Sequence, residues 1–269
     1  MNLSINARHF CMRSDGTSRS MKDVLTCVKN AGFNYVDILV PHSDIPETVN
    51  LLEQTGLSVN QSHCPFNRYE KKDYADFAKD IMDAAVRAHA LGSKIFVVHG
   101  DEFDFDSMTY TKQAALEFNY KLFSPVAEYL SQHNMKLAFE NLFCDGGPRF
   151  CSDTDELCML TDKFPRDAVG ICWDTGHGKV SDPKNYIANM SSVSDRIIST
   201  HIHDNNHDTD LHLFPYLGNL DWKSAAKVLK DSGYKGEFTY EFVYDRIPDE
   251  FLGDVLSLLY RMGEYIINL

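Results

Sequence analysis

The 269 residues carry a formal net charge of −13, with 43% hydrophobic and 24% charged residues, the balance of a folded domain rather than a disordered chain. The excess of negative charge argues against nucleic acid as a partner, because a phosphate backbone is repelled unless a bound cation reverses the local field. Seven cysteines without a Cys-x-x-Cys pair exclude a disulfide framework and a zinc ribbon and fit a reducing cytoplasm; no basic leader or long apolar stretch predicts secretion or a membrane span.

In chain order, apolar runs predict strands near 3–8, 34–40, 57–62, 94–99, 136–140, 168–173, 196–203 and 237–242. Helical periodicity fills the intervals near 18–31, 44–55, 72–91, 110–133, 153–163, 183–190, 221–231 and 248–267, several of them opened by Ser, Thr or Asp. Gly32, Gly56, Gly92 and Gly233 each stand after a helix and before a strand, as helix-stop residues do. Strict alternation requires a parallel sheet, and eight units close it into a single (β/α)8 TIM barrel over residues 1–269. The apolar stripes of 110–133 and 248–267 serve the core or a homo-oligomer equally well.

In such a barrel the residues that end the strands gather at one rim. Glu140, Asp174, His201 and Glu241 each follow a short apolar run and are spaced 34, 27 and 40 residues apart, about one strand-plus-helix unit each. The same rim receives His63, His99, His177, His203, Asp210 and His212. Three carboxylates buried in one cleft repel one another, and a divalent cation offsets that repulsion. Phe66, Phe103, Phe143, Trp173 and Phe214 are candidates for an apolar wall against a substrate, with ordinary barrel filling at least an equal reading for Trp173.

Phe139-Glu140-Asn141, Trp173-Asp174-Thr175-Gly176-His177, His201-Ile202-His203-Asp204 and Leu217-Gly218-Asn219-Leu220-Asp221-Trp222 together resemble the xylose isomerase-like TIM barrels. That group includes sugar isomerases and epimerases and the endonuclease IV-type apurinic endonucleases. The resemblance implies one Mn, Zn, Co or Mg ion held by Glu140, Asp174, His201 and Glu241. It also implies that Glu140 and Glu241 are catalytic proton carriers and that His177 binds substrate. His201 is preferred to His203 as the strand-seven ligand because it precedes Asp204 by three residues, as the family ligand precedes its acid. His203 is left to hold substrate or a ligand carboxylate. Family 3-epimerases carry an arginine where this chain has His207, which becomes a substrate-binding candidate and weighs against ketose 3-epimerase activity specifically.

The implied reaction is isomerisation or epimerisation of a sugar, sugar phosphate or polyol-derived ketone through a metal-stabilised enediolate. In the endonuclease branch the same chain positions would hold up to three zinc ions, with His63, His99, His177, Asp210 and His212 as the additional ligands. The rival reading is therefore a multi-zinc phosphoesterase, and a third is a non-catalytic, metal-containing sugar-binding protein. Ion stoichiometry separates the three.

Overall fold

The computed structural model describes residues 1–13, 15–40, 44–65, 73–104, 107–144, 148–206, 209–242 and 247–269. In chain order the elements are β1 (Leu3–Asn6), α1 (Met21–Ala31), β2 (Tyr35–Leu39), α2 (Ile45–Thr55), β3 (Ser58–His63), α3 (Tyr74–Ala90), β4 (Ile95–His99), α4 (Lys112–Gln132), β5 (Lys136–Glu140) and α5 (Thr154–Thr161). Then follow β6 (Val169–Asp174), α6 (Thr175–Ser181), α7 (Tyr186–Ser192), β7 (Ile197–His201), α8 (Trp222–Asp231), β8 (Phe238–Tyr240) and α9 (Leu252–Ile266).

The strands form one parallel sheet in the order β7-β6-β5-β4-β3-β2-β1-β8. A parallel bridge between Ile202 and Tyr240 joins its two edges into a (β/α)8 barrel, as expected from the alternation. Two backbone bonds make this seam: Ile202 N–H donates to Thr239 O at 2.8 Å, and Glu241 N–H donates to Ile202 O at 3.2 Å. The Thr200 hydroxyl adds to it, donating to Glu237 O at 3.0 Å and accepting from Thr239 N–H at 3.2 Å. Every other strand pair shares a longer ladder.

The expected strands and helices are all present, most of them one to five residues shorter than the periodicity predicts. Ser20, Asp73, Thr111, Asp153 and Asp221 cap their helices by accepting a backbone N–H two or three residues on. The four helix-stop glycines all have positive φ. Helix α6 was not foreseen. Its sequence, Thr175-Gly176-His177-Gly178-Lys179-Val180-Ser181, has two glycines and no apolar period, and it forms because Asp174 accepts the His177 N–H at 2.6 Å.

The main core lies between sheet and helices, where alternate strand residues such as Ile5, Val36, Ile38, Phe96, Phe139, Ile171, Phe238 and Tyr240 meet the helical faces. Each such side chain contributes roughly 1.5–3 kcal/mol of burial. The lumen is filled differently on its two sides. On β4, β5 and β6, Val97, Ala138 and Cys172 make a small separate apolar cluster. On the opposite side, Ser4, Asn60, Gln61, Ser199 and Thr239 are buried and hydrogen-bonded to one another.

A bulge explains the concentration of polar groups. Val36 pairs with Val59, but Asp37 pairs with Gln61, so Asn60 is the extra residue, and both Asn60 and Gln61 reach the same network. All seven cysteines are free thiols. Among the described residues no helix is long and apolar enough to cross a membrane.

Candidate metal centre

The strand ends bring the sequence-predicted ligands together. Glu140, Asp174, His201 and Glu241 offer donor atoms that all lie within 4.8 Å of one another, and all four side chains are buried. Three further groups share or adjoin their members: His63, His99 and Glu140 flank them on one side, His177, His203, Asp210 and His212 on the other, and His63, His201 and Glu241 overlap the central set. All nine positions taken as ligands or additional ligands thus fall in these clusters, joined by His203.

Glu140 is the hub. One of its oxygens is 3.0 Å from His63 Nε2 and 3.4 Å from His99 Nε2; the other is 3.1 Å from His201 Nδ1 and 3.3 Å from His177 Nδ1. Glu241 lies across the His201 ring edge, with Oε2 3.4 Å from the same Nδ1. Asp174 uses one oxygen to cap α6 and the other to meet His203 Nε2 at 2.9 Å. Asn141 ties the β5 and β6 ends together, accepting from Asp174 N–H at 2.6 Å and donating to Asp174 O at 2.9 Å.

The histidines are oriented from behind. Nδ1 of His63 faces Cys64 O at 2.6 Å, that of His177 faces Asn141 O at 2.9 Å, and that of His212 faces Glu241 O at 3.0 Å. Each carbonyl can only accept, so it favours the proton on Nδ1 and leaves Nε2 as the inward donor atom. Asp210 receives two of these inward atoms, His177 Nε2 at 3.3 Å and His212 Nε2 at 2.9 Å.

Asp204 builds the loop that carries Asp210 and His212. Its buried carboxylate accepts backbone N–H groups from Asn205, Tyr216 and Leu220 at 2.9, 2.9 and 3.0 Å, and the Trp222 indole N–H at 3.2 Å. Two glycines make room nearby: a Cβ at Gly218 would collide with Asp204 Oδ1 and the Asn205 backbone, and one at Gly176 would collide with the His203 ring. The glycines of the Thr-Gly-His and Leu-Gly-Asn motifs are therefore packing requirements of the centre.

The electrostatics show how the cluster balances its charge. Burial alone would raise Glu140, yet the charge of His201 and the close approach of the His177, His201 and His63 rings hold it well below the usual carboxylate range. Glu241 is lowered to about 2: burial and Glu140 push it up, and His201 and His212 more than compensate. Burial works against His212 too, but Asp210 and Glu241 raise it to about 9, and His177 and His201 are raised well above their ordinary value by the carboxylates around them. In His99 burial wins and the pKa falls. Protonated imidazoles thus supply the positive charge that the carboxylates demand.

A divalent cation suits the same place. Both ring nitrogens of His201 and Nδ1 of His203 are buried without a hydrogen-bond partner, and the donor set is mixed nitrogen and oxygen, as Zn or Mn sites use.

Other expectations fall out differently. Trp173 is not brought to the centre. It is buried in the main core, its outward direction set by alternation with Cys172 and Asp174, and its ring lies over Gly178. Trp173 thus packs the layer between sheet and helices, as an ordinary core residue. Phe66 and His207 lie outside the described residues. Phe143 does meet the site, its ring 5.1 Å from that of His177.

Three residues were missed. Arg149 lies over the Phe143 ring, pairs with Asp101 at 2.7 Å, and lines a cavity with His63 and His99. His9, just past β1, points Nδ1 at Phe242 O at 2.9 Å, with Glu241, His212 and Asp37 as its charged neighbours. Asp37 sits under His201. The strand-end rule applied to strand one would have found His9, and a lone acid inside Tyr35-Val36-Asp37-Ile38-Leu39 was the signal for Asp37.

Comparison with known proteins agrees with this architecture. Residues 25–262 match the family model described as xylose isomerase-like TIM barrel. An uncharacterized protein y4fM of Sinorhizobium fredii is 23% identical, over 91% of this chain and 88% of its own length. The crystal structure of a D-psicose 3-epimerase in the presence of D-fructose superposes with a TM-score of 0.81 at 12% identity, covering 100% of both chains. An AP endonuclease, family 2, from Brucella melitensis gives a TM-score of 0.73 at 19% identity, covering 93% of this chain and 96% of that one. At such identities the solved structures establish the fold, which sugar epimerases and an endonuclease share. With the family model spanning most of its length, the chain belongs to the xylose isomerase-like TIM barrel family.

Proposed function

We propose that this protein is a divalent-metal-dependent isomerase or epimerase of a sugar, sugar phosphate or polyol-derived ketone. The observation that carries the reading is the convergence of two buried glutamates, Glu140 and Glu241, on His201 Nδ1, at 3.1 and 3.4 Å. A reaction that removes a proton from carbon and returns it needs two bases held on different sides of one substrate carbon, or one base that reaches two carbons. The sugar 3-epimerases with the same fold support the substrate class.

Glu140, Asp174, His201 and Glu241 would hold the ion. When bound, it would supply Lewis acidity to the carbonyl and adjacent hydroxyl of an α-hydroxy ketone. Glu140 accepts the proton from the hydroxyl-bearing carbon next to the carbonyl, and Glu241 returns a proton to that carbon. His177 and His203 bind or orient, His177 presenting Nε2 at the edge of the cleft beside Phe143 and His203 holding Asp174. Arg149 and His9 close the cleft from the β5 and β1 sides and exclude water.

The test combines ion counting with isotope exchange. Purified protein reconstituted with Mn, Co, Zn or Mg is incubated with a panel of ketoses and ketose phosphates in deuterium oxide. The expected result is deuterium at one substrate carbon and one tightly bound ion per chain. Three ions and no exchange with any panel member would reject the proposal.

That second outcome corresponds to a specific alternative, a multi-zinc phosphoesterase. It is favoured by the two flanking groups, His63-His99-Glu140 and His177-His203-Asp210-His212, which an isomerase with one ion does not require. The net charge of −13 stands against a nucleic-acid substrate.

A further inference from the structure

The His201 ring differs from the other imidazoles of the centre. His63, His177 and His212 are backed by neutral carbonyls at Nδ1 and present Nε2 inward. His201 presents Nδ1 to Glu140 and Glu241, and behind its Nε2 stands a carboxylate, Asp37 Oδ2, at 3.3 Å.

Asp37 is fully buried in the middle of β2, one register step below the rim: it pairs with Gln61, while Leu39 pairs with His63. Its Oδ2 accepts from Gln61 Nε2 at 3.3 Å, and its Oδ1 has no hydrogen-bond partner. Gln61 is itself fixed, because its Oε1 accepts the Ser199 hydroxyl at 2.5 Å, the Thr239 hydroxyl at 3.3 Å and Asn60 Nδ2 at 3.3 Å. The carboxylate is thus immobilised under the ring by a network that spans β3, β7 and β8. A buried carboxylate with one oxygen unsatisfied is costly, and the single bond it receives from Gln61, whose Nε2 also reaches Thr200 O at 3.4 Å, is a small return. Its cost is offset only by something that needs a negative charge there.

From this juxtaposition we infer that Asp37 is a positioning residue for the metal centre: it holds the proton on His201 Nε2, so that the Nδ1 lone pair points between Glu140 and Glu241. The inference rests on the reading that these side chains bind a divalent ion. A ligand imidazole can offer one nitrogen only when its proton is kept on the other, and a carboxylate partner fixes the tautomer and ring angle and strengthens the donor. Gln61 extends the same chain of contacts one residue further. The polar side of the lumen then has a purpose: it is the scaffold that carries one carboxylate to the back of one ligand.

The experiment measures ion binding by the full chain, without substrate. Wild type, Asp37→Asn and Asp37→Ala are stripped with chelator, and Zn and Mn affinities are read by competition with a chromophoric chelator. Loss of the backing carboxylate is expected to weaken binding about 10-fold in the isosteric Asn variant and toward about 100-fold in the Ala variant. The thermal midpoint of the metal-free Asn variant should equal or exceed that of wild type, which loss of a merely structural strut would not produce. In zinc-loaded protein with ¹⁵N-labelled histidine, the His201 proton is expected on Nε2 and downfield in wild type, shifted upfield in Asp37→Asn.

Affinities within twofold of wild type in the Asn variant, or a zinc-loaded His201 protonated on Nδ1, would overturn the inference while leaving the metal reading intact. Failure of wild type itself to bind either ion would overturn both. The Asn variant carries the test if the Ala variant does not fold.

Discussion

The two sides of the barrel lumen solve the same packing problem with opposite chemistry. Beneath Glu140 and Asp174, on β4 to β6, the filling is Val97, Ala138 and Cys172, small side chains that need no partners. Beneath His201 and Glu241, on β7, β8 and β1 to β3, it is a closed network of Ser4, Asn60, Gln61, Ser199, Thr239 and Asp37, in which nearly every donor is spoken for. The apolar side makes an insulating floor, which strengthens the charges above it. The polar side is a directional scaffold, since a hydrogen-bonded network specifies angles that methyl groups do not.

The sharpest break of that comparison is at the two glutamates, one above each floor. Glu140→Gln and Glu241→Gln should each lower substrate deuterium exchange by about 10²–10⁴-fold, the usual worth of a positioned base. Glu140→Gln should also weaken ion binding more than Glu241→Gln, because Glu140 meets four histidines while Glu241 meets only His201 and, at 3.9 Å, His212 among the described residues. Equal ion affinity in both variants would show that the hub position has no special weight.

Acidity gives the next largest effect. Ion uptake must displace protons from histidines that their carboxylate neighbours keep charged, His212 up to about 9 and His177 and His201 well above the ordinary value of 6.5. Zn affinity should therefore rise steadily from pH 6 to pH 9, with protons released in calorimetry carried out in buffers of different ionisation enthalpy. For the metal-free chain the signs are fixed by the same groups. The contribution of His212, whose pKa rises on folding, is complete below 6.5 and is lost as pH climbs through about 9. That of Glu241, whose pKa falls on folding, is complete above 4.5 and is lost as pH drops toward about 2. A thermal-melt series of metal-free protein should peak between about 4.5 and 6.5, and a maximum near pH 9 would contradict this account.

Substitutions in the two floors should then differ in kind. Gln61→Leu strands the Ser199 and Thr239 hydroxyls and frees Asp37, at a cost of roughly 1–3 kcal/mol for each unsatisfied buried group. Val97→Ala removes two methyl groups' worth of packing from an apolar cluster and should cost roughly 1–3 kcal/mol with no change in ion affinity. Chemical denaturation of both variants, paired with zinc titration, reads the difference. The smallest effect is expected far from either floor, where Lys227→Ala breaks an exposed pair with Asp231 and should move stability by less than about 0.5 kcal/mol.

Much of the fold was legible because the physics that sets it is local. An apolar run that stops at a carboxylate or histidine, as in Leu137-Ala138-Phe139-Glu140, marks both the strand and the rim residue that ends it. What escaped depends on register and direction. The bulge at Asn60 shifts which residues of β3 face inward, and nothing in Ser58-Val59-Asn60-Gln61 announces it. Trp173 has the composition of a sugar platform but the phase of an outward residue, fixed by its neighbours Cys172 and Asp174. Helix α6 owes its existence to one side-chain cap rather than to its own residues. Asp37 is visible as an acid in an apolar run, but its meaning comes from His201, which lies 164 residues away along the chain and 3.3 Å away in space.

The seam between β7 and β8 is stitched by only two backbone bonds, at Ile202, and it lies directly between His201 and Glu241. An ion bound by both residues acts as a clasp across the weakest joint of the ring, so that occupancy and closure become one event. Amide protons of Ile202 and Glu241 should then exchange with solvent far more slowly once the clasp is fastened, while those in the β4–β5 ladder barely respond. A barrel of this kind reports its cargo through its own hoop tension.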